Sequence, residues 1–376
     1  MRSQLILVAL LGTLSLSGCL FNTSDSKQKD EEWGKMHLLW EYAYDLDGGA
    51  PKVKPLIYED KIITSGDIKI TALDYKNGEL IWKTPFENLR QLTNNSFGIL
   101  SNIIVGSKVH SIQAWDIVTG VGLWEAVVPE SLSFNFLTGI TANHDGFIAP
   151  SDGYKLYKIS PEGDISIIQL DARTYESTYS DGFLYVGQRI DGDGVLSAYD
   201  AQTMRLSWRN APKGISIPAL VAPIIENDIV YIGTTYGTEF QTNAFFALDA
   251  RTGEEIWRRE GIMTFSAVLH EDYLYINDAA GIFKLRKSDG GTEWYADFNA
   301  GAGTAPIAYG YGYIYAPHSG NMHVVDAETG EIVYKFSPPH GSYFWLVSAE
   351  VGRIFAQSNS HLYAFASWGH TEALAE

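Results

Sequence analysis

The sequence holds a single cysteine, Cys19, so no disulfide can form within the chain and no cysteine-based zinc site can be assembled. Basic residues are scarce: 27 Lys and Arg stand against 45 Asp and Glu, for a formal net charge of −18. Such a surface repels polyanions, so no nucleic-acid partner is expected. Beyond the N-terminus no stretch approaches the roughly 18–20 apolar residues of a membrane-spanning helix. The nine histidines are scattered without ligand spacing, and no metal site is expected from them. His318 and His323 flank a turn and His340 sits in a Pro-Pro-His-Gly stretch, so all three are expected in loops or at the surface.

What the chain does have is apolar and aromatic substance. It is 45% hydrophobic and 13% aromatic, with 36 glycines distributed among the rings, enough for a substantial core and weighted towards strands and tight turns.

The first residues read as an address. Arg2 supplies a positive start, an apolar run follows from Leu5 to Leu11, and the segment ends in Leu16-Ser17-Gly18-Cys19. The run is too short to span a bilayer, so residues 1–18 are expected to be a signal peptide. The four closing residues resemble the bacterial lipobox, which implies lipidation of Cys19. Leu20 in place of Asp implies, by the same resemblance, the outer membrane. Residues 19–35 are expected to be the lipidated Cys and a polar tether with a reach on the order of 20 Å.

From residue 36 onward the chain is self-similar at a period of 37–49 residues. The clearest copy runs Thr71-Ala-Leu-Asp74-Tyr-Lys-Asn77-Gly78 and ends at Trp82. Relatives carry Asp116, Thr119 and Gly120 before Trp124, and Asp249, Thr252 and Gly253 before Trp257. Weaker copies end at Trp208 and Trp294, and another at Tyr334. In each, a strand runs into an Asp that can accept turn N–H groups, Gly supplies a positive φ, and the return strand carries a flat ring suited to packing between sheets. A second recurring strand precedes each, for example Phe183-Leu-Tyr-Val-Gly187 and Ile229-Val-Tyr-Ile-Gly233, after turn signals such as Ser180-Asp-Gly182. Counting Trp40, Trp82, Trp124, the degenerate Ile168, Trp208, Trp257, Trp294 and Tyr334 predicts eight blades of an all-β propeller over 36–366, followed by a tail at 367–376. The strand around Trp40 lacks a partner before it, and His361–Phe365 lacks one after it. The two ends are therefore expected to share one blade and close the ring.

The Ala-x-Asp-x-x-Thr-Gly-x-x-x-Trp pattern resembles the repeat of PQQ-type propellers. Among these, size, lipobox, tether and a bare ring are similar to the BamB family of outer-membrane lipoproteins. The resemblance implies a non-enzymatic, cofactor-free scaffold at the periplasmic face, meeting a β-barrel insertase subunit or nascent outer-membrane proteins. Two alternatives stay open: a PQQ-dependent quinoprotein dehydrogenase, and a propeller lipoprotein binding a glycan or another envelope protein. The dehydrogenase resemblance implies long insertions, a Ca²⁺ site and often a vicinal disulfide, which a chain with one Cys cannot form. Asp191-Gly-Asp193-Gly194 lacks the further acidic positions of a calcium loop and reads as a hairpin turn. Candidate partner-binding residues are Phe134 and Phe136 in one Ser-bounded loop, and Tyr343, Phe344 and Trp345 in another. The BamB resemblance adds Asp171 and Arg173, in the stretch after the degenerate strand.

Overall fold

The computed structural model describes residues 36–369 apart from 46–52, 67–68, 86–96, 108–110, 129–138, 152–153, 192, 211–221, 235–242, 300–302, 304, 342 and 351. The signal peptide, Cys19, the tether, Phe134 and Phe136 lie outside the described residues. The described residues contain no helix, and their 32 strands form eight antiparallel four-stranded sheets. Blades 1 to 7 follow the chain at 56–85, 98–127, 141–169, 173–210, 224–260, 266–297 and 308–336. Blade 8 takes three strands from the C-terminal part, Phe344–Glu350, Arg353–Ser358 and His361–Ala366, and its outer strand, Leu38–Ala43, from the N-terminal part. Glu41 pairs with Tyr363 and Ala43 with His361, so the two ends close the ring as the repeat count requires.

First strands meet first strands around the axis, and fourth strands form the rim. Strand alternation sorts the connections. Turns between first and second and between third and fourth strands open on one end of the ring, the turn face. Second-to-third hairpins and the crossings to the next blade open on the other, the connection face.

The repeat residues act locally as their chemistry demands. Asp116 Oδ1 accepts from Thr119 N and Thr119 Oγ1, both at 2.8 Å, and Asp249 Oδ1 accepts from Thr252 N at 2.8 Å. These turn bonds hold both carboxyls below the ordinary value; at Asp116 they outweigh the opposing effect of burial. The inner hairpins turn at residues with positive φ, among them Asp181 at 47° and Asn227 at 51°, the backbone of tight two-residue turns.

The tryptophans fasten each blade to the next. Trp82 Nε1 donates to Ile117 O at 3.1 Å, Trp208 Nε1 to Ala250 O at 2.9 Å, and Trp294 Nε1 to Glu328 O at 3.0 Å. Trp40, Trp124 and Trp257 repeat the bond to Tyr75 O, Pro161 O and Lys287 O. The repeat glycine has a second duty here. A Cβ on Gly120 would stand 2.5 Å from the Trp82 ring, and Gly78, Gly163, Gly253, Gly290 and Gly330 face the preceding blade's Trp in the same way. Gly is needed both for its φ and because the indole lies flat against its Cα.

Two interfaces depart from this pattern. Between blades 3 and 4 the indole is missing: Ser166, opposite Lys158, stands where Trp82 stands opposite Ala72, so the register places the degenerate position at Ser166 and not at Ile168, and Met204 replaces the Gly while keeping a positive φ of 56°. Ile168 and Met204 both pack on the cluster of Leu156, Leu170, Leu184 and Tyr199, and the small Ser166 at the Trp position goes with a larger residue, Met204, at the Gly position. Between blades 7 and 8, Tyr334 packs on Trp368 with centroids 4.7 Å apart. Trp368 N also donates to Tyr315 Oη at 2.8 Å, so Ser367 and Trp368 belong to the packed body rather than to a tail.

At the closing interface Gln357 Nε2 donates to Tyr44 Oη and Thr64 Oγ1, each at 2.6 Å. Arg353 Nη1 donates to Tyr75 O at 2.8 Å and Lys76 O at 2.9 Å, with its guanidinium over the Tyr75 ring. Arg353→Ala takes this donor from Lys76 O and leaves Tyr75 O with the Trp40 indole alone. It is expected to lower the unfolding free energy by about 1–3 kcal/mol in a urea titration, with Arg353→Lys recovering part of the loss.

Candidate functional site

Topology brings two of the candidate regions to the same end of the ring, the connection face. Tyr343 lies on the crossing into blade 8, and Asp171 on the crossing from blade 3 to blade 4. Val127 ends the strand that leads into the connection containing Phe134 and Phe136.

The aromatic segment after Ser342 is divided between surface and core. Phe344 begins the first strand of blade 8 and is 3% exposed, packed against Phe336 and Tyr363. It is therefore core and not a loop residue. Trp345 points the other way on the same strand, 45% exposed, with Tyr343 5.6 Å away between ring centroids. The alternation of a strand separates neighbours that look equivalent in sequence.

Asp171 and Arg173 are likewise separated. Asp171 takes a two-pronged bond from Arg209, with Nη1 to Oδ2 at 2.9 Å and Nη2 to Oδ1 at 2.7 Å. That guanidinium holds the Asp171 carboxyl below its usual range. Arg209 is further fixed by Ser197 Oγ at 2.9 Å and by Tyr199 Oη and Gln188 Oε1 at 3.3 Å. Arg173 instead opens the first strand of blade 4 with its guanidinium 5.7 Å from the Tyr175 ring centroid. Glu176 is buried and accepts from Gly139 N at 3.1 Å, tying blade 4 to blade 3. Arg209 was missed because its partner lies 38 residues earlier; the available signal was a cation directly after a docking Trp.

The rim near this pair is unusually apolar. Blade 2's outer strand, Gly122–Val127, exposes Leu123 and Val127, and its turn exposes Val118 and Val121. Val121 is 60% and Val127 70% exposed. Ile167 is also exposed, on the outer strand of blade 3, whose residues Ile165–Gln169 carry no charge. Blade 2's outer strand carries Glu125, and other outer strands bear Lys83, Arg258 with Arg259, Asp297 or Lys335, the charges that commonly protect a free sheet edge.

His318 and His323 are not in exposed positions. Both are 2% exposed on the second-to-third hairpin of blade 7, with His323 stacked on Phe298 at 4.4 Å between centroids. Burial above all, with the charges of Lys335 and His318, pulls His323 from 6.5 to about 4. Below pH 6.5 the unfolded chain takes up this proton before the folded one does. The group's stabilising contribution is therefore complete above 6.5 and is lost as the pH falls towards 4. His323→Phe is expected to reduce the stability lost between pH 7 and pH 4.5 by on the order of 1–2 kcal/mol, read as urea midpoints at the two pH values. His340 is exposed, 3.5 Å from Glu41 Oε1. Among the described residues no three His, Cys, Asp or Glu side chains converge as a metal site.

Eight blades, fastened at six of their interfaces by Trp-on-Gly docking and closed by an N-terminal strand, define a PQQ-type propeller, presenting a paired Asp171–Arg209 and exposed apolar rim residues. A family model described as outer membrane protein assembly factor BamB matches residues 101–284 and 241–349, about two thirds of the chain. The chain belongs to that family. It is similar to outer membrane protein assembly factor BamB of Yersinia pestis, with 23% identity covering 96% of this chain and 98% of the relative. The crystal structure of BamB from Moraxella catarrhalis superposes with a TM-score of 0.70 at 14% identity, covering 88% of this chain and 99% of that one. A europium-containing methanol dehydrogenase superposes with a TM-score of 0.71 at 10% identity, covering 89% of this chain and 94% of that one, a likeness of fold alone.

Proposed function

We propose that this protein is a non-catalytic scaffold lipoprotein that assists insertion of β-barrel proteins into the outer membrane. Lipid on Cys19 holds it at the periplasmic face, and the polar tether stands the ring off the bilayer. The observation that carries this reading is the end-to-end similarity to an outer membrane protein assembly factor, over 96% of this chain.

The insertase subunit meets the connection face around blades 2 to 4. The paired Asp171 and Arg209 supply an oriented polar contact there, and Val127 and Ile167 supply apolar area. Client strands alternate apolar and polar residues, and the apolar side chains on the rim of blades 2 and 3 suit such a strand because main-chain pairing tolerates any sequence.

The test is affinity purification of the lipidated protein from gently solubilised envelopes, with mass spectrometry of what accompanies it. Stoichiometric recovery of a barrel insertase supports the scaffold reading. Val127→Asp changes an exposed residue and is expected to leave the unfolding midpoint unchanged while cutting recovery of insertase or client about tenfold. Recovery of the ring alone, with saturable binding of PQQ and Ca²⁺ and dye reduction on an alcohol or sugar, would replace the scaffold with a quinoprotein enzyme.

A further inference from the structure

The axis of the ring holds a channel of about 460 Å³, within the range of roughly 300–1,000 Å³ common to small-ligand sites. Its walls come from first strands of blades 1, 6, 7 and 8, with Phe97 from just before the first strand of blade 2, and include the apolar side chains Leu56, Ile57, Val268, Leu269, Ala308 and Ala349. The one polar hydroxyl at its blade 8 wall, on Ser348, is already committed to Pro55 O. Among the described residues the only charged one lining the channel is Lys54, just before the first strand of blade 1.

Lys54 stands out against the composition of the protein. With 45 acidic residues to 27 basic ones, carboxylates are plentiful, and Lys69, Lys83 and Lys287 each hold one. Among the described residues Lys54 has no hydrogen-bond or ion-pair partner, and desolvation alone lowers its pKa. Enclosing an ammonium without a counter-charge is costly, and an anion entering the channel would remove that cost.

We propose that the central channel is a binding site for an amphipathic monoanion, with Lys54 holding the anionic head and the first-strand walls of blades 1, 6, 7 and 8 enclosing the apolar body. The head is a carboxylate or a group of like charge, because a single ammonium matches a single negative charge. The body is aliphatic or a compact apolar side chain, because Leu56, Ile57, Val268, Leu269 and Ala308 give it apolar contact. This site is separate from the rim and connection-face residues of blades 2 to 4, so neither proposal depends on the other.

The experiment is isothermal titration of the full mature chain with dodecanoate below its micellar concentration. Dodecanol serves as the uncharged probe, dodecylamine as the cationic one, and inorganic phosphate as an anion without an apolar body. Dodecanoate is expected to bind saturably, at one site, at least about tenfold more tightly than any of the three. Lys54→Met should lose that advantage, and Lys54→Arg should keep it. Lys54→Met removes an uncompensated charge and should melt no lower than the parent, which separates loss of binding from loss of fold. Leu269→Trp, which fills the channel from another blade, should also abolish binding while Lys54 remains. Undiminished dodecanoate binding by Lys54→Met, equal binding of dodecanol, or no saturable binding of dodecanoate by the parent would each overturn the proposal.

Discussion

Trp208→Ala lowers the unfolding free energy by about 3–5 kcal/mol, the range of a large aromatic removed from a packed interface. The side chain is 9% exposed, its ring lies on Gly253, and Tyr185 flanks it at 6.0 Å between centroids. Its Nε1–H is the donor to Ala250 O, a carbonyl also reached by Tyr185 Oη at 3.1 Å. Trp208→Phe keeps most of the apolar contact and drops the indole donor, so it should cost less, about 1–3 kcal/mol. Both are read as midpoint shifts at unchanged slope in urea. Gly253→Ala tests the same contact from the opposite blade. Its added Cβ must enter the Trp208 ring while the backbone holds a φ of +73°, so a loss of stability is expected there too. A Trp208→Ala protein with parental stability would mean that the repeat tryptophans are ornaments of ancestry and not fasteners.

The interface between blades 3 and 4 should accept a restored fastener only as a pair of changes. Ser166→Trp alone drives an indole towards the Met204 side chain and is expected to destabilise by about 1–3 kcal/mol. Met204→Gly alone relieves a positive φ of 56° but removes contacts with the Leu170–Tyr199 cluster, for a net loss of similar size. Together they recreate the ring-on-glycine contact of the other interfaces. The double variant is therefore expected to be more stable than the sum of the single changes by about 0.5–3 kcal/mol, measured as a double-mutant cycle in urea. Additive losses would show that the two positions do not meet. The Asp171–Arg209 fork spans this same seam, from the crossing after blade 3 to the outer strand of blade 4. The seam lacking an indole is thus held at the connection face by charge, beside the surface proposed to receive the insertase.

Much of the ring was legible because its signal is repeated and local. Asp, Thr or Asn, Gly and Trp recur at fixed offsets, each demanded by a turn or a docking contact, and their number predicts the blades. The innermost strands were far less legible. Leu56–Tyr58, Gly98–Leu100, Thr141–Asn143, Ile224–Glu226 and Ala308–Gly310 have three residues each, too few to display alternation. Phe344 shows the consequence: without the strand boundary, a buried ring and its exposed neighbour Trp345 read as one aromatic cluster. His318 and His323 were read from the turn between them, whereas Phe298 from the preceding blade covers His323.

The candidate site was legible only in outline. Asp171 could be nominated on resemblance, but its partner Arg209 comes from the far edge of the blade, and sequence distance carries no trace of that pairing. Lys54 reads in sequence as one more surface lysine. The sequence by itself determined the class of fold, the number of blades and the sharing of blade 8 by the two ends, because these follow from short-range offsets multiplied around a closed ring. Tertiary structure alone decided which polar and aromatic side chains are spent on the fold and which remain for binding. That division depends on what neighbouring blades present across each interface and across the axis, where residues far apart in the chain are brought within a few ångströms of one another.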